Sequence, residues 1–431
     1  MRSRTALVTA LAAAAALAPG TAVAAGQPAQ DRAPAHDAHC PQLSHHLKWH
    51  GDNRDRLQRV IDERGTCSHS FSRGEDRPVA AFDWDNTMTK NDITDATLTW
   101  ALRHDKILRP AHWQKTSKWM TKDAARALTK ACGTDVPVGE PLNTSDNTRC
   151  TDEIMEIRSE AKTMAGDDAF EGEWNHRRTV PEYAWIPQLF AGHTEDEVRT
   201  YASIARTEAL KAPIGSKRKV GTHTVPAYVR YYEQQKDLVR TLRAAGFDVY
   251  IVSAGSEPVT EAWSPALGFD RDHTLAIRSI TDKQGRMTTR TQGCGDVADG
   301  QGEAIPYRDG KRCRLNEDVF GIHGADAWKK QDPAHRIAIG GGDADTDVTF
   351  VSDATGAHEV LNRNETELMC RAYDNADGRW VVNPMFIEPK PRMKGSYPCA
   401  TKGWTAPDGS EQPMHRADGS VVRDQKDTVH G

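Results

Sequence analysis

The sequence predicts an α/β protein, a parallel sheet core with helices on its faces, interrupted by a long and mainly helical insert. Three observations carry that prediction. Apolar runs too short for helices end abruptly in acidic or polar residues at 78–82, before Asp83, and at 248–253. The second run follows a helical pattern over 231–245, with Leu238, Leu242 and Ala245 on one face and a stop at Gly246, which is the repeating unit of a parallel sheet. Between 93 and 231, by contrast, the texture is that of helices.

Taken in order, residues 1–25 read as a secretory signal peptide. Arg2 and Arg4 precede an Ala/Leu/Val run too short to span a bilayer, and Ala22-Val-Ala24-Ala25 supplies a small-residue cleavage site after Ala24 or Ala25. Export makes disulfides the natural use of eight cysteines, an even number without a C-x-x-C pair. Pairing of sequence neighbours is the simplest of many connectivities: Cys40 with Cys67, Cys132 with Cys150, Cys294 with Cys313 and Cys370 with Cys399. The formal charge of −5 and the lack of a basic run argue against nucleic acid or an anionic membrane as partner. Oligomeric state is not legible.

Residues 26–77 form an N-terminal extension. Its histidines, His36, His39, His45, His46 and His50, lack paired metal-ligand spacing and read as surface residues. Leu57, Val60 and Ile61 mark a short amphipathic helix over 53–63. The core comprises 78–92 and 232–390, and 93–231 is the inserted helical cap. Within the cap, Asp92 caps a helix to Leu102, and Pro110 opens another that carries Trp113, Trp119, Ala124, Leu128 and Ala131. Helices follow at 152–164, at 181–190 and, after the Thr194…Glu197 capping box, to about Leu210. In the core, 274–290 suggests an irregular hairpin. Residues 336–339 form a strand broken by Gly340-Gly-Gly342, and strands near 360–361 and 379–387 flank a helix at 365–376. Residues 391–431 are a polar tail pinned by Cys399.

Asp83 and Asp85 are the focus. If the chain stays extended, side chains two apart project to the same side, and two neighbouring carboxylates repel unless a cation lies between them or one is protonated. Beyond the strand ends of an open parallel sheet lies the crevice where ligands bind. Along the chain come Asp83-Trp-Asp85-Asn-Thr87, a strand ending in Ser253, Gly310-Lys311, and Gly342-Asp343-Ala-Asp345-Thr-Asp347. Asp343, Asp345 and Asp347 alternate like the first calcium ligands of an EF-hand, but that loop needs glycine and glutamate where Val348 and Ala354 stand.

These four motifs, in this order, resemble those of the haloacid dehalogenase superfamily in its phosphatase branch, similar to phosphoserine phosphatase and secreted phosphorylcholine phosphatases. The resemblance implies a Rossmann-like core with a cap inserted after the first motif, and a secreted phosphomonoesterase acting on a small phosphate monoester. It implies Asp83 as nucleophile, Asp85 as general acid and base, and Ser253, Lys311 and Thr87 as phosphate-binding groups. Mg2+ would be held by Asp83, the Asp85 carbonyl, Asp343 and Asp347. Lys311 lies further upstream of Asp343 than the family spacing, so Lys329 and Lys330 remain alternatives for its role. An acid at position 85 argues against dehalogenation.

The need for such a site is physical: phosphate monoester hydrolysis demands accelerations reaching about 10²¹-fold, which rest on positioning and charge neutralisation. The tryptophans of the cap, with Asp92, suggest a cage for a cationic alcohol such as choline. A catalytically silent binding protein on the same fold and a phosphotransferase are the competing readings.

Overall fold

The computed structural model describes residues 39–72 and 74–430, so the expected signal peptide and the first part of the N-terminal extension lie outside the described residues. Six parallel strands form the main sheet: β1 (Val79–Phe82), β2 (Asp248–Ser256), β3 (Thr274–Ile277), β4 (Ile339–Gly342), β5 (Ala357–Asn362) and β6 (Trp380–Pro384). Their spatial order, β3-β2-β1-β4-β5-β6, makes an α/β Rossmann-like core. The chain reverses its direction of progress across the sheet between β1 and β4. Loops leaving these two strands diverge, which opens a crevice beyond their carboxyl ends.

β4 departs from the sequence expectation. Gly340, Gly341 and Gly342 do not break the strand but belong to it, with Gly341 paired to Phe82 and Glu359. A Cβ on Gly341 would stand 2.3 Å from the Phe82 ring, and one on Gly342 would stand 2.5 Å from the Asp347 Cβ. Glycine is required here because neighbouring side chains fill the space a substituent would take. Residues 274–277 also differ, since they form an edge strand of the main sheet. Only Ser279–Thr281 and Met287–Thr291 make the hairpin.

Helices pack on both faces and over the crevice. α1 (Asn53–Arg64) buries Leu57, Val60 and Ile61 as its spacing predicts. α2 (Ile93–Arg103) begins at Asp92, whose side chain accepts from Asp95 N. The helix expected from Pro110 is divided into a 3-10 turn at Trp113–Lys115 and α3 (Lys122–Cys132). Thr116 Oγ1 donates to Trp113 O, the chain then bridges Met120 to Phe170, and Thr121 caps a fresh start. α4 (Thr148–Glu160), α5 (Pro181–Leu189) and α6 (Glu195–Lys211) follow, the last with both halves of its capping box formed.

α7 (Glu233–Ala244) leads into β2 and α8 (Glu257–Trp263) leaves it. α9 (Asp309–Asp318), α10 (Val348–Asp353) and α11 (Thr366–Asp374) complete the core, and the tail adds short antiparallel pairs. The four disulfides join Cys40–Cys67, Cys132–Cys150, Cys294–Cys313 and Cys370–Cys399, each between sequence neighbours. No helix among the described residues is long and apolar enough to cross a membrane.

Candidate active site

Asp83 follows directly on β1, and its backbone N–H donates to Gly341 O of β4, so it stands at the point where the sheet order reverses. The chain does not stay extended beyond it. Thr87, Met88 and Thr89 all donate backbone N–H groups to Trp84 O, and Asn86 takes a positive φ of 61°. Asp85 Oδ1 accepts from Ile93 N at 2.7 Å, at the start of α2. The extended geometry from which the sequence put both side chains on one side ends with β1 at Phe82, and a turn carries Asp85.

The carboxylates that do converge come from two motifs. Ligand atoms of Asp83, Asp343 and Asp347 lie within 4.8 Å of one another, and all three residues are buried. Between them stands Lys311, fully buried, with Nζ 2.5 Å from Asp83 Oδ1 and 2.6 Å from Asp347 Oδ1. Lys329 and Lys330 are exposed, and Lys329 pairs with Asp326. Lys311 reaches this position from the first turn of α9, which begins at a tight corner. Arg308 has a φ of 48°, and a Cβ on Gly310 would lie 1.8 Å from Ile305 O.

That corner is held by Arg177 of the insert. Its guanidinium bonds Asp309 at 3.2 Å, Glu367 at 2.9 Å, Thr405 O at 3.0 Å and Thr349 Oγ1 at 3.1 Å. Asp309 is two residues before Lys311 and Thr349 two after Asp347. One planar fork thus ties together the segments bearing two members of the charged cluster.

Asp343 is fixed on both oxygens. Thr87 Oγ1 donates to Oδ1 at 2.7 Å and Arg363 donates to Oδ2 at 2.6 Å. Thr87, expected among the phosphate-contacting groups, is fully buried and spends its hydroxyl on this carboxylate. Asp347 accepts from the backbone N–H groups of Asp343 and Ala344 at 2.9 and 3.0 Å, which folds the G-D-x-x-x-D loop onto itself. Asp345 points elsewhere and accepts from Leu368 N in the first turn of α11.

Ser253 does not end its strand. β2 continues to Ser256 with a register irregularity against β3 between Val252 and Ser256. Since Ile251 pairs with Phe82, Ser253 lies just past the level of Asp83 on the adjoining strand. It is buried, and its Oγ accepts from Gly255 N at 3.1 Å.

The electrostatics follow from burial. Asp83 is held well above the usual carboxylate range, first by burial and then by the charge of Asp347, with Lys311 pulling the other way. Asp85 is also raised well above it, by burial and then by Asp92 and Asp83. Asp343 is raised to about 6 by burial, against the pull of Arg363. Burial works against the Lys311 ammonium, yet Asp347 and Asp83 carry its pKa above the ordinary lysine value. Three buried carboxylates with two nearby cations leave an excess of negative charge among hard oxygen donors. That donor set fits Mg2+.

Beside the cluster lies a cavity of about 410 Å³, lined in part by Asn86, Asp92, Arg158, Tyr228 and Arg363. The tryptophans of the insert are not in its wall. Trp100, Trp113, Trp119 and Trp185 are buried in the hydrophobic core, and Trp174 packs edge-on against Trp119. The cage expected from tryptophan density is therefore not built by them. Among the tyrosines of the insert, Tyr183 has the Arg158 guanidinium 4.9 Å from its ring centroid. Sequence reading missed Arg363 and Arg177. The first has only its place after an apolar strand as a signal, and the second has none.

No family model matches the chain, and no curated protein matches it. Among solved structures, a conserved protein of unknown function from Anaerococcus prevotii aligns with a TM-score of 0.56 at 16% identity, covering 79% of this chain and 94% of that one. A protein of unknown function from Bordetella pertussis aligns at 20% identity over 72% of this chain and 99% of that one, with a TM-score of 0.40. A substrate-bound phosphoserine phosphatase aligns at 12% identity over 67% and 86%, with a TM-score of 0.29. The first likeness establishes a shared fold alone, and the other two are too weak to bear on the argument. What stands is an α/β Rossmann-like chain that shares its architecture with the Anaerococcus prevotii protein and gathers its buried charge at the topological switch point of the sheet.

Proposed function

We propose that this protein is an exported, magnesium-dependent phosphomonoesterase of the haloacid dehalogenase superfamily, acting on a small phosphate ester through an aspartyl-phosphate. The observation that carries this reading is Lys311 bridging Asp83 and Asp347, with Asp343 alongside, at the carboxyl ends of β1 and β4. Four disulfides support export.

In this reading an Asp83 oxygen attacks phosphorus in line, forming an O–P bond as the ester P–O bond breaks. Asp85 gives its proton to the departing alcohol oxygen. Its single hydrogen bond, from Ile93 N, leaves the other oxygen free to carry that proton, and burial, with Asp92 and Asp83 nearby, favours the protonated form. Asp85 then takes a proton from the water that attacks the acyl phosphate, which regenerates Asp83 and releases inorganic phosphate. Lys311 and Ser253 neutralise and orient the phosphoryl oxygens. Asp83, Asp343, Asp347 and the Asp85 carbonyl would hold Mg2+, which when bound supplies positive charge against the phosphate. Thr87 and Arg363 orient Asp343. The insert walls the cavity and limits leaving groups to small alcohols.

A phosphorylcholine-like ester remains the second reading of the substrate, now resting on Asp92 beside the cavity rather than on tryptophans. Asp92 is raised to about 7 by burial and then by Asp95, against Arg158.

The test is a panel of phosphate monoesters with and without magnesium, run beside Asp83→Asn. The expected result is metal-dependent phosphate release, with the variant folded and slower by at least about 10³-fold. Undiminished turnover by Asp83→Asn would sink the proposal. Measuring released against transferred phosphate separates hydrolysis from phosphotransfer, and no turnover of any ester favours a silent binding protein.

A further inference from the structure

The turn that carries the Asp83 motif continues into a short strand, Thr89–Lys90, paired with Arg230–Tyr231. Lys90 is 7% exposed, yet among the described residues no carboxylate lies within ion-pair distance of its ammonium. Its Nζ donates to Glu388 O at 2.9 Å and touches Met385 Sδ at 3.9 Å, both neutral. The nearest acidic side chain, Glu388, is turned to the Tyr228 hydroxyl. A buried ammonium ordinarily has a charged partner, because two neutral contacts do not offset its lost hydration.

Lys90 also has cations for neighbours. It shares the 410 Å³ cavity with Lys390 and with Arg363, whose other contact is Asp343 of the charged cluster. The lining also includes Asp92 and Asp95, and Arg158 pairs with Asp95 at 3.1 Å. Burial lowers the Lys90 pKa, and Lys390 and Arg363 push it the same way while Glu388 opposes them. Three cations, Lys90, Arg363 and Lys390, therefore line one cavity that adjoins the charged cluster through Arg363, and Asp95 there is already engaged by Arg158.

We propose that this part of the lining is a second anion subsite, formed by Lys90, Arg363 and Lys390, and that the preferred substrate is a phosphate ester whose alcohol carries a further anionic group. The inference rests on the phosphatase reading and deepens it. Carboxylate and phosphate share the chemistry these cations would recognise. The group would supply Lys90 with the partner it lacks and would set the alcohol in the cavity with its phosphate directed to Asp83. A cationic alcohol would meet like charge there.

Binding to the Asp83→Asn protein in magnesium, followed by calorimetry, tests this without turnover. The probes are 3-phosphoglycerate, 1,3-propanediol bisphosphate, glycerol 1-phosphate and phosphorylcholine. The expected result is that one or both of the doubly anionic probes bind at least about tenfold more tightly than glycerol 1-phosphate, and which of them does so identifies the second group. Adding Lys90→Gln should bring that ratio near one, and Lys90→Arg should keep it. The ratio in the Asp83→Asn protein stands even if a Lys90 variant fails to fold. Equal binding of anionic and neutral esters, or tightest binding of phosphorylcholine, overturns the subsite alone. No binding of any ester, together with no hydrolysis by the unmodified protein, overturns the phosphatase reading and the subsite with it.

Discussion

Two acidic places lie one strand apart in this sheet, and they are managed in opposite ways. At the tips of β1 and β4, Asp83, Asp343 and Asp347 have Lys311 and Arg363 against their oxygens. In the body of β5, Glu359 is equally buried, but its company is neutral. Gln235 Nε2 reaches Oε1 at 2.9 Å, Asn383 Nδ2 stands at 3.4 Å, and Oε2 has no partner among the described residues. Burial raises Glu359 to about 8, the amides pull it down, and the charge of Asp343 pushes it further up. At neutral pH this glutamate keeps its proton. The amides pull Glu359 down less than burial raises it, and at the strand tips Lys311, 2.5 Å from Asp83, also pulls against a burial that still holds that carboxyl above the usual range. The acids at the strand tips have cations against their oxygens, and the acid in the body of β5 has amides.

The most severe way to break this contrast is Lys311→Met. It leaves Asp83 and Asp347 buried and facing each other without the cation, so hydrolysis should vanish and stability in metal-free buffer should fall by about 3–5 kcal/mol. A urea midpoint unchanged from the parent protein would show that the tip does not depend on its lysine.

Glu359→Gln sharpens the other side. Because the folded pKa is about 8 against an ordinary 4.5, the folded protein keeps a proton that the unfolded chain releases, and stability drains away as pH rises through that interval. The substitution should remove that slope, a difference of about 3 kcal/mol between pH 5 and pH 8. Parallel urea titrations at the two pH values decide it, and matching slopes in both proteins would mean that Glu359 is ionised after all.

Thr87→Val is the mildest of the set. It deletes the hydroxyl that donates to Asp343 Oδ1 and should cost about 1–2 kcal/mol, with weaker apparent affinity for magnesium. Were Thr87 a phosphate ligand instead, the loss would appear in KM for the ester while metal dependence stayed as it was.

The fold class was legible because apolar runs that stop at an acidic residue report strand ends, and because disulfides here join sequence neighbours. The bend after Trp84 was not, since it depends on Asn86 entering the left-handed region and on three N–H groups sharing one carbonyl. Gly340–Gly342 misled because glycine ordinarily interrupts a strand, and only the position of the Phe82 ring reveals why it is needed within one. Lys311 could be shortlisted from Gly310 and the apolar pattern after it. The same signals favoured it over Lys329 and Lys330, and the structure brings its Nζ to Asp83 and Asp347 from the first turn of α9. Arg363, Arg177 and Lys90 matter through tertiary neighbours far away in the chain, and local pattern has no access to those.

The bare edge of β4 has a wider implication. Where three successive residues lack side chains, the Phe82 ring and the Asp347 side chain lie directly against the main chain of the strand. Such a seam cannot be retuned by swapping one hydrophobe for another, as most cores can. A side chain added at Gly341 or Gly342 would have to displace one of those neighbours.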